Sequence, residues 1–465
     1  MFNAIVNAFK VPDLRKKILF TLAIVVLYRI GAHIPAPGVD VYAVAEVAAN
    51  NAAIGLLNLF TGGALEQMSI FALGIMPYIT ASIIMQLLKG AIPTLDKMSK
   101  EESGRRKITQ ITRYMAMGIA LVEAIGMLWL FRESVINIPG VAWLTPILIV
   151  GTLLVGTALI IWMAELITQR GIGNGMSMMI FSSIVAMFIP VIIDAFARAQ
   201  LTLRSGLMPD GSVAEGLAAL NVLGISGSNL TMIATLVFAM LVVIFVVIYI
   251  EEGQRRIPVQ YAKRVVGRRV MGGSGTYIPL KVNGANVIPM IFATAILTIP
   301  AQLAQMMPEA GWLQSVAAFA SGPMFLPPEE LMALPWWAGW GNWLITFILI
   351  VFFAYFYTAL VHNPVDISDN LRKQGGFIPG IRPGQKTTDY IEKTMNRIVL
   401  PGALFLGTIA VGTSILFAVT ANTMFMQFGG TSIIIMVGVS LETMRQIESQ
   451  LKMRNYDGFF NKGKS

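Results

Sequence analysis

The chain of 465 residues has no cysteine and only two histidines, His33 and His362. The first absence excludes disulfides, thiolate nucleophiles and cysteine-ligated metals. The two histidines are far apart in sequence, and no HExxH, GxSxG or Walker-type loop occurs. Charge is scarce as well. Asp, Glu, Lys and Arg make up 13% of the residues, about half the share of a soluble domain. Apolar residues supply 55%, and the mean hydropathy is +0.70. This is the composition of a polytopic membrane protein rather than an enzyme; no catalytic set, metal or cofactor is expected.

Apolar runs predict ten membrane spans, at about 18–35, 76–92, 114–131, 146–168, 177–197, 231–250, 286–304, 342–361, 398–420 and 429–446. The run from Ile18 is too long for a signal peptide and no A-x-A-like site follows it. It reads as a retained span behind an amphipathic N-terminus of residues 1–17. The last two spans share 44 uncharged residues from Ile398 to Leu441, too many for one crossing.

Basic residues set the orientation. Thirty of the 34 Lys and Arg fall in the N-terminus, in segments 89–113, 255–281, 372–397 and 445–464, and at Arg170. The opposite side receives only Arg29, Arg132, Arg198 and Arg204. The positive-inside rule therefore predicts that both termini are cytoplasmic, which an even span count also requires. Five spans make an N-terminal half, residues 18–197. An outer loop, 198–230, leads to five more in 231–446, and 447–465 form a cytoplasmic tail. With an odd number of spans per half, the second half enters from the opposite side, which predicts an inverted repeat if the halves share a fold.

The second apolar segment, Asn58 to Gly90, is broken. It holds Gly62-Gly63, Glu66, Gln67, Gly74 and Pro77. As one helix its 33 residues would be roughly 50 Å long, against a hydrocarbon core of roughly 30 Å. Residues 57–74 are too short and too polar to cross lipid, so a separate piece is expected before a span that starts near Pro77. Glu123 is the only acid in the third span, and an intramembrane acid is a functional candidate.

Two cytoplasmic loops, 251–285 and 362–397, stand out. The first alternates Val, Tyr and Ile with polar residues, as a hairpin does, and carries the pairs Arg255-Arg256 and Arg268-Arg269. The second contains FIPGIRPG, a stiff Pro/Gly turn presenting Arg382. Together they hold thirteen cations on one side, suited to RNA phosphate or an acidic protein surface. RGIGNG (170–175) looks like a nucleotide loop, but it follows no strand and joins two spans, so it reads as a tight turn.

GGALEQMSIFALGIMPYITASIIMQLL, ESGRRKITQITRY, RGIGNG, GQRRIPVQYAKR, IPLKVNGANVIP, FYTALVHNP and GGFIPGIRPG closely resemble the SecY family of protein-conducting channels. The resemblance runs from about Leu14 to the tail. It implies an all-α clamshell of two inverted five-helix halves around a central pore, with a plug half-helix. The plug maps to about 57–74, centred on Thr61, Gly62, Gly63, Ala64, Leu65, Glu66, Gln67 and Met68. The apolar pore ring maps to Ile75, Ile79, Met176, Ile180, Ile291 and Ile435, where Met176 replaces the family's usual branched aliphatic residue. The lateral gate maps to Thr80, Glu123 and Asn283, and a hydrogen bond from Glu123 to Thr80 or Asn283 is expected to help hold it shut. Arg255, Arg256, Arg268, Arg269 and Arg382 map to the docking surface for the ribosome, rRNA included, or the motor ATPase SecA. The implied partners also include SecE, SecG, signal-sequence-bearing preproteins and membrane lipid, and the implied location is the bacterial plasma membrane. The competing class is a secondary transporter of a small solute, because inverted repeats and broken helices mark those proteins too.

Overall fold

The computed structural model describes residues 8–50, 58, 61–136, 143–205, 229–261, 264–266, 269–271, 276–307, 310–321, 336–420 and 430–461. Long helices occupy every interval where a span is expected. They are α1 (Pro12–Gly31), α3 (Met76–Ala91), α5 (Glu102–Leu130), α6 (Leu144–Arg170), α7 (Gly175–Ser205), α8 (Asn229–Glu252), α9 (Ile288–Met306), α11 (Trp336–Val361), α13 (Gln385–Thr420) and α14 (Gly430–Asn461). Shorter helices are α2 (Val41–Asn50), α4 (Pro93–Lys100), α10 (Gly311–Ser321) and α12 (Pro364–Lys373). Among the described residues, four helices are long and apolar enough to cross a membrane unaided, within α5, α6, α11–α12 and α13. The pair α3 and α4, bent by 107° at the break between them, makes a fifth if counted as one span.

Proline lies inside α7, α9 and α13, at Pro190, Pro300 and Pro401, but elsewhere in the helices it marks their starts. It stands in the first turn of α1, α3, α4, α9 and α12, where an N–H lacks a partner in any case. Several helices outrun their apolar stretch. α5 begins at Glu102, well before the expected start at 114, and α13 begins at Gln385 rather than 398. Likewise α14 continues to Asn461, through most of the expected tail. Hydropathy marks where lipid ends, whereas the helical ladder continues into water, aided by pairs such as Arg106–Glu102 one turn apart.

The first-half helices pack in succession, α3 on α5, α5 on α6 and α6 on α7, with α1 on α6. In the second half α9 packs on α11, α11 on α13, α13 on α14 and α8 on α14. The two sets meet along two seams. α9 lies against α3 and α5, and α14 and α8 lie against α7.

The fold is not wholly helical. Strands β1 (Gln254–Tyr261), β4 (Thr276–Lys281) and β5 (Gly376–Phe377) form a sheet in the order β4-β1-β5, both pairings antiparallel. A second ribbon pairs β2 (Arg264–Val266) with β3 (Arg269–Met271). The hairpin expected in the first basic loop is present. Its partner β5 comes from the second loop, so the two loops are one body with its own core of Ile257, Val259, Leu280, Leu371, Ile378, Ile391 and Met395.

RGIGNG forms a tight turn. The Ile172 amide donates to Thr21 Oγ1 of α1 (3.0 Å), Gly173 to Gln446 Oε1 of α14 (2.9 Å) and Gly175 to Thr168 Oγ1 (2.9 Å). Those amides are engaged by side chains and do not form a phosphate cradle.

Candidate functional site

The segment ahead of α3 departs from the half-helix expected for it. From Gly62 to Ile75 the chain runs as consecutive turns. Gly62, Gly63 and Gly74 have φ of 68°, 89° and 58°, and Met68 has 42°. Left-handed residues at these intervals interrupt the helical hydrogen-bond ladder. The segment is nonetheless well seated. Leu65, Met68, Ala72 and Leu73 are buried against Phe131, Ile149 and Leu153, while Glu66 is exposed. Gly156 of α6 permits this approach, since a Cβ there would lie 1.7 Å from the Ile70 carbonyl oxygen.

The six predicted ring residues come together. Ile75, Ile79, Ile180, Ile291 and Ile435 are buried in one apolar cluster, and Met176 packs against it. They arrive from α3 and the residue before it, α7, α9 and α14. Ile75 and Ile79 are one turn apart, as are Met176 and Ile180, so each pair presents one face. Ile79, Met176, Ile180 and Ile291 form one wall of a cavity of about 430 Å³. Ile288, Phe292 and Tyr357 share the lining with the polar Gln86, Thr109, Asn174 and the ion pair in which Arg113 donates through two nitrogens to both Glu165 oxygens. A constriction of aliphatic side chains beside such a cavity can stop water and ions by dewetting while offering no polar group for a polypeptide to stick to.

A second cavity, about 530 Å³, lies at the α3–α5–α9 seam. Thr61, Thr80, Glu123, Ile299 and Leu303 line it among mainly apolar neighbours. Thr80 and Glu123 therefore share one space. Asn283 does not join them. It is buried in the turn between β4 and α9, where its Nδ2 donates to Glu251 Oε1 of α8 and to the Asn286 carbonyl (3.0 Å). The expected hydrogen bond from Glu123 to Thr80 or Asn283 is corrected accordingly: Asn283 is committed elsewhere, and no such bond forms from Thr80. Around Asn283, Arg445 Nη2 of α14 donates to the Glu251 carbonyl (3.0 Å). Burial, with Arg445 adding to it, pulls the Lys281 ammonium below its usual range.

The basic platform is exposed where it is described. Arg255 and Arg256 lie on β1 and point to solvent, Arg256 stacking over Tyr277 at 4.8 Å. Arg269 begins β3, and Arg268 lies outside the described residues. Arg382 is exposed on a turn pinned from three directions. Phe377 pairs with Gln260 in the sheet, Thr387 Oγ1 donates to the Arg382 carbonyl (3.0 Å), and Ser368 Oγ donates to the Gly384 carbonyl (3.2 Å).

Residues 69–444 match the model of the SecY family. The chain belongs to the SecY family. It is 45% identical to a protein translocase subunit SecY of Streptomyces scabiei, covering 99% of this chain and all of that one. With the corresponding subunit of Mycobacterium bovis it shares 42% identity over the same proportions. Among solved structures it resembles a protein-conducting channel, with a TM-score of 0.57 and 19% identity over 93% of this chain and 91% of the other. It also resembles Sec61 in the canine ribosome–channel complex from the endoplasmic reticulum, with a TM-score of 0.54 and 19% identity over the same shares. The SecY fold accounts for the two packed helix sets and their seams.

Sequence reasoning missed three contributors: Glu251, which takes Asn283; Arg113–Glu165, which lines the cavity beside the predicted ring; and β5, which ties the basic loops together. Only Glu251 left a signal, as an acid at the end of an apolar run.

Proposed function

We propose that the chain is the pore-forming subunit of a channel that passes unfolded preproteins across the bacterial plasma membrane and releases apolar segments sideways into lipid. The observation that carries this is the cavity in which Ile79, Met176, Ile180 and Ile291 from α3, α7 and α9 meet Gln86, Asn174 and the Arg113–Glu165 pair, with a mainly apolar cavity at the α3–α9 seam beside it. In this reading Ile75, Ile79, Met176, Ile180, Ile291 and Ile435 form the ring. The turns from Thr61 to Met68 form the plug, and Thr80 and Glu123 line the lateral gate. Asn283 contributes by fixing the start of α9 against α8 and α14.

Both termini and the basic platform face the cytoplasm. Arg255, Arg256, Arg268, Arg269 and Arg382 receive the ribosome or SecA, which bring the energy. SecE and SecG complete the membrane complex. A solute transporter is not favoured, because it needs ion-coordinating groups at its centre and the ring is aliphatic.

The direct test is photo-crosslinking of a stalled signal sequence, with probes at Ile84 of α3 and Ile299 of α9. Both positions should capture it; capture at neither would remove the gate assignment. Glu123→Gln should change the translocation rate or signal-sequence selectivity by roughly fivefold, the effect of about 1 kcal/mol on a partly buried polar group. Unchanged values for both would take Glu123 out of the gate.

A further inference from the structure

The segment from Thr61 to Leu73 is held in two different ways. Its trailing limb is embedded. Leu65, Met68, Ala72 and Leu73 sit in the α5–α6 core, and backbone bonds tie it to the end of α1, from Ala36 N–H to the Met68 carbonyl (3.0 Å) and from Ile70 N–H to the Ile34 carbonyl (3.0 Å). Its leading limb is held by side chains. The Tyr28 hydroxyl donates to the Thr61 carbonyl (3.3 Å) and lies 2.8 Å from Ser183 Oγ of α7. Arg29 Nη1 donates to the Gly62 carbonyl (2.7 Å). Tyr28 and Ser183 are each 1% exposed, so neither hydroxyl can exchange its partner for bulk water. Ser183 Oγ also lies 3.1 Å from the Met179 carbonyl one turn back, so its single proton goes either there or into a relay through Tyr28 to Thr61.

Two elements, α1 and α7, converge on Gly62. A Cβ there would lie 2.6 Å from Arg29 Nη1 and 2.9 Å from Ser183 Cα, at a φ of 68°. The arginine tip could shift, but the α7 backbone could not. Gly63, at φ 89°, follows directly, and there only the Met187 sulfur lies within 4 Å of where a Cβ would stand. Gly63 can therefore act as a hinge between the two limbs.

We infer that Tyr28, Arg29 and Ser183 are positioning residues that latch the leading limb of the plug. Opening releases Thr61 and Gly62 and pivots about Gly63, while the trailing limb stays seated. This rests on the plug reading given above.

Two measurements on the complete complex in proteoliposomes test it. In the first, ion conductance is recorded without substrate. Tyr28→Phe removes the relay proton and should raise it about fivefold or more, and adding Ser183→Ala should raise it little further because both act on one relay. Unaltered conductance in Tyr28→Phe, when deletion of residues 61–68 does leak, would overturn the latch.

In the second, disulfides lock each limb in turn, which the cysteine-free background makes unambiguous. A short dithiol spacer, disulfide-linked to Thr61→Cys and to Ser183→Cys on either side of the Tyr28 hydroxyl, should block preprotein transport until reduced. An Ala36→Cys/Met68→Cys disulfide should leave transport within about twofold of the reduced pair. If both block, the whole segment leaves and the pivot is wrong. If neither blocks, the plug reading itself fails.

Discussion

Arg382→Glu is expected to stop preprotein translocation while the protein still accumulates and assembles normally. The residue is exposed, and its turn is built from other groups: the Gln260–Phe377 pairing, the bond from Thr387 Oγ1 to the Arg382 carbonyl and the bond from Ser368 to Gly384. Reversing the side-chain charge removes none of these. What it removes is a guanidinium held out on a stiff support, able to bind phosphate or carboxylate through two parallel hydrogen bonds. Losing such a contact and gaining repulsion costs about 2–3 kcal/mol, roughly a 30- to 150-fold loss of affinity for the docking partner. SecA-driven transport into inverted vesicles measures the consequence. Normal transport in this variant would separate the platform from the energy source.

The second large effect is expected at the ring. Ile79→Asn with Ile180→Asn places two amides in the cavity lining, within a cluster otherwise apolar. Sealing by dewetting depends on the apolar surface, and polar groups let a water column persist through the constriction. Conductance of the resting channel should rise about tenfold or more, while a preprotein still crosses. A channel that stays tight with both amides in place would put the seal elsewhere, at the plug alone. Thermal unfolding of the variant separates this from simple loss of packing.

How much of this was legible in the sequence differs from part to part, and the differences have physical causes. Lipid is a uniform solvent, so the positions of long helices follow from composition alone. Their ends do not, because helices such as α5 and α14 continue into water where hydropathy is silent. The break before Pro77 was legible from Gly74 and the polar residues upstream. The form of the piece before it was not, since turns at Gly62, Gly63 and Met68 follow from close packing on α6 and α7. The ring residues could be assigned by resemblance, and the fold gathers them into one cluster. Asn283 shows the limit. The family resemblance suggested it as a partner for Glu123, but a short turn ahead of α9 carries it to Glu251 at the end of α8. Nor could a two-residue strand such as Gly376–Phe377 be seen in advance, since its only cause is the edge of β1 already standing beside it.

The central claim is that this chain forms a passage for polypeptide. The measurement that tests it most directly uses proteoliposomes containing the chain with SecE and SecG, given SecA, ATP and a radiolabelled preprotein outside, then external protease. The account predicts ATP-dependent protection of full-length preprotein, lost in Arg382→Glu. No protection in vesicles that instead accumulate a small solute against its gradient would contradict it.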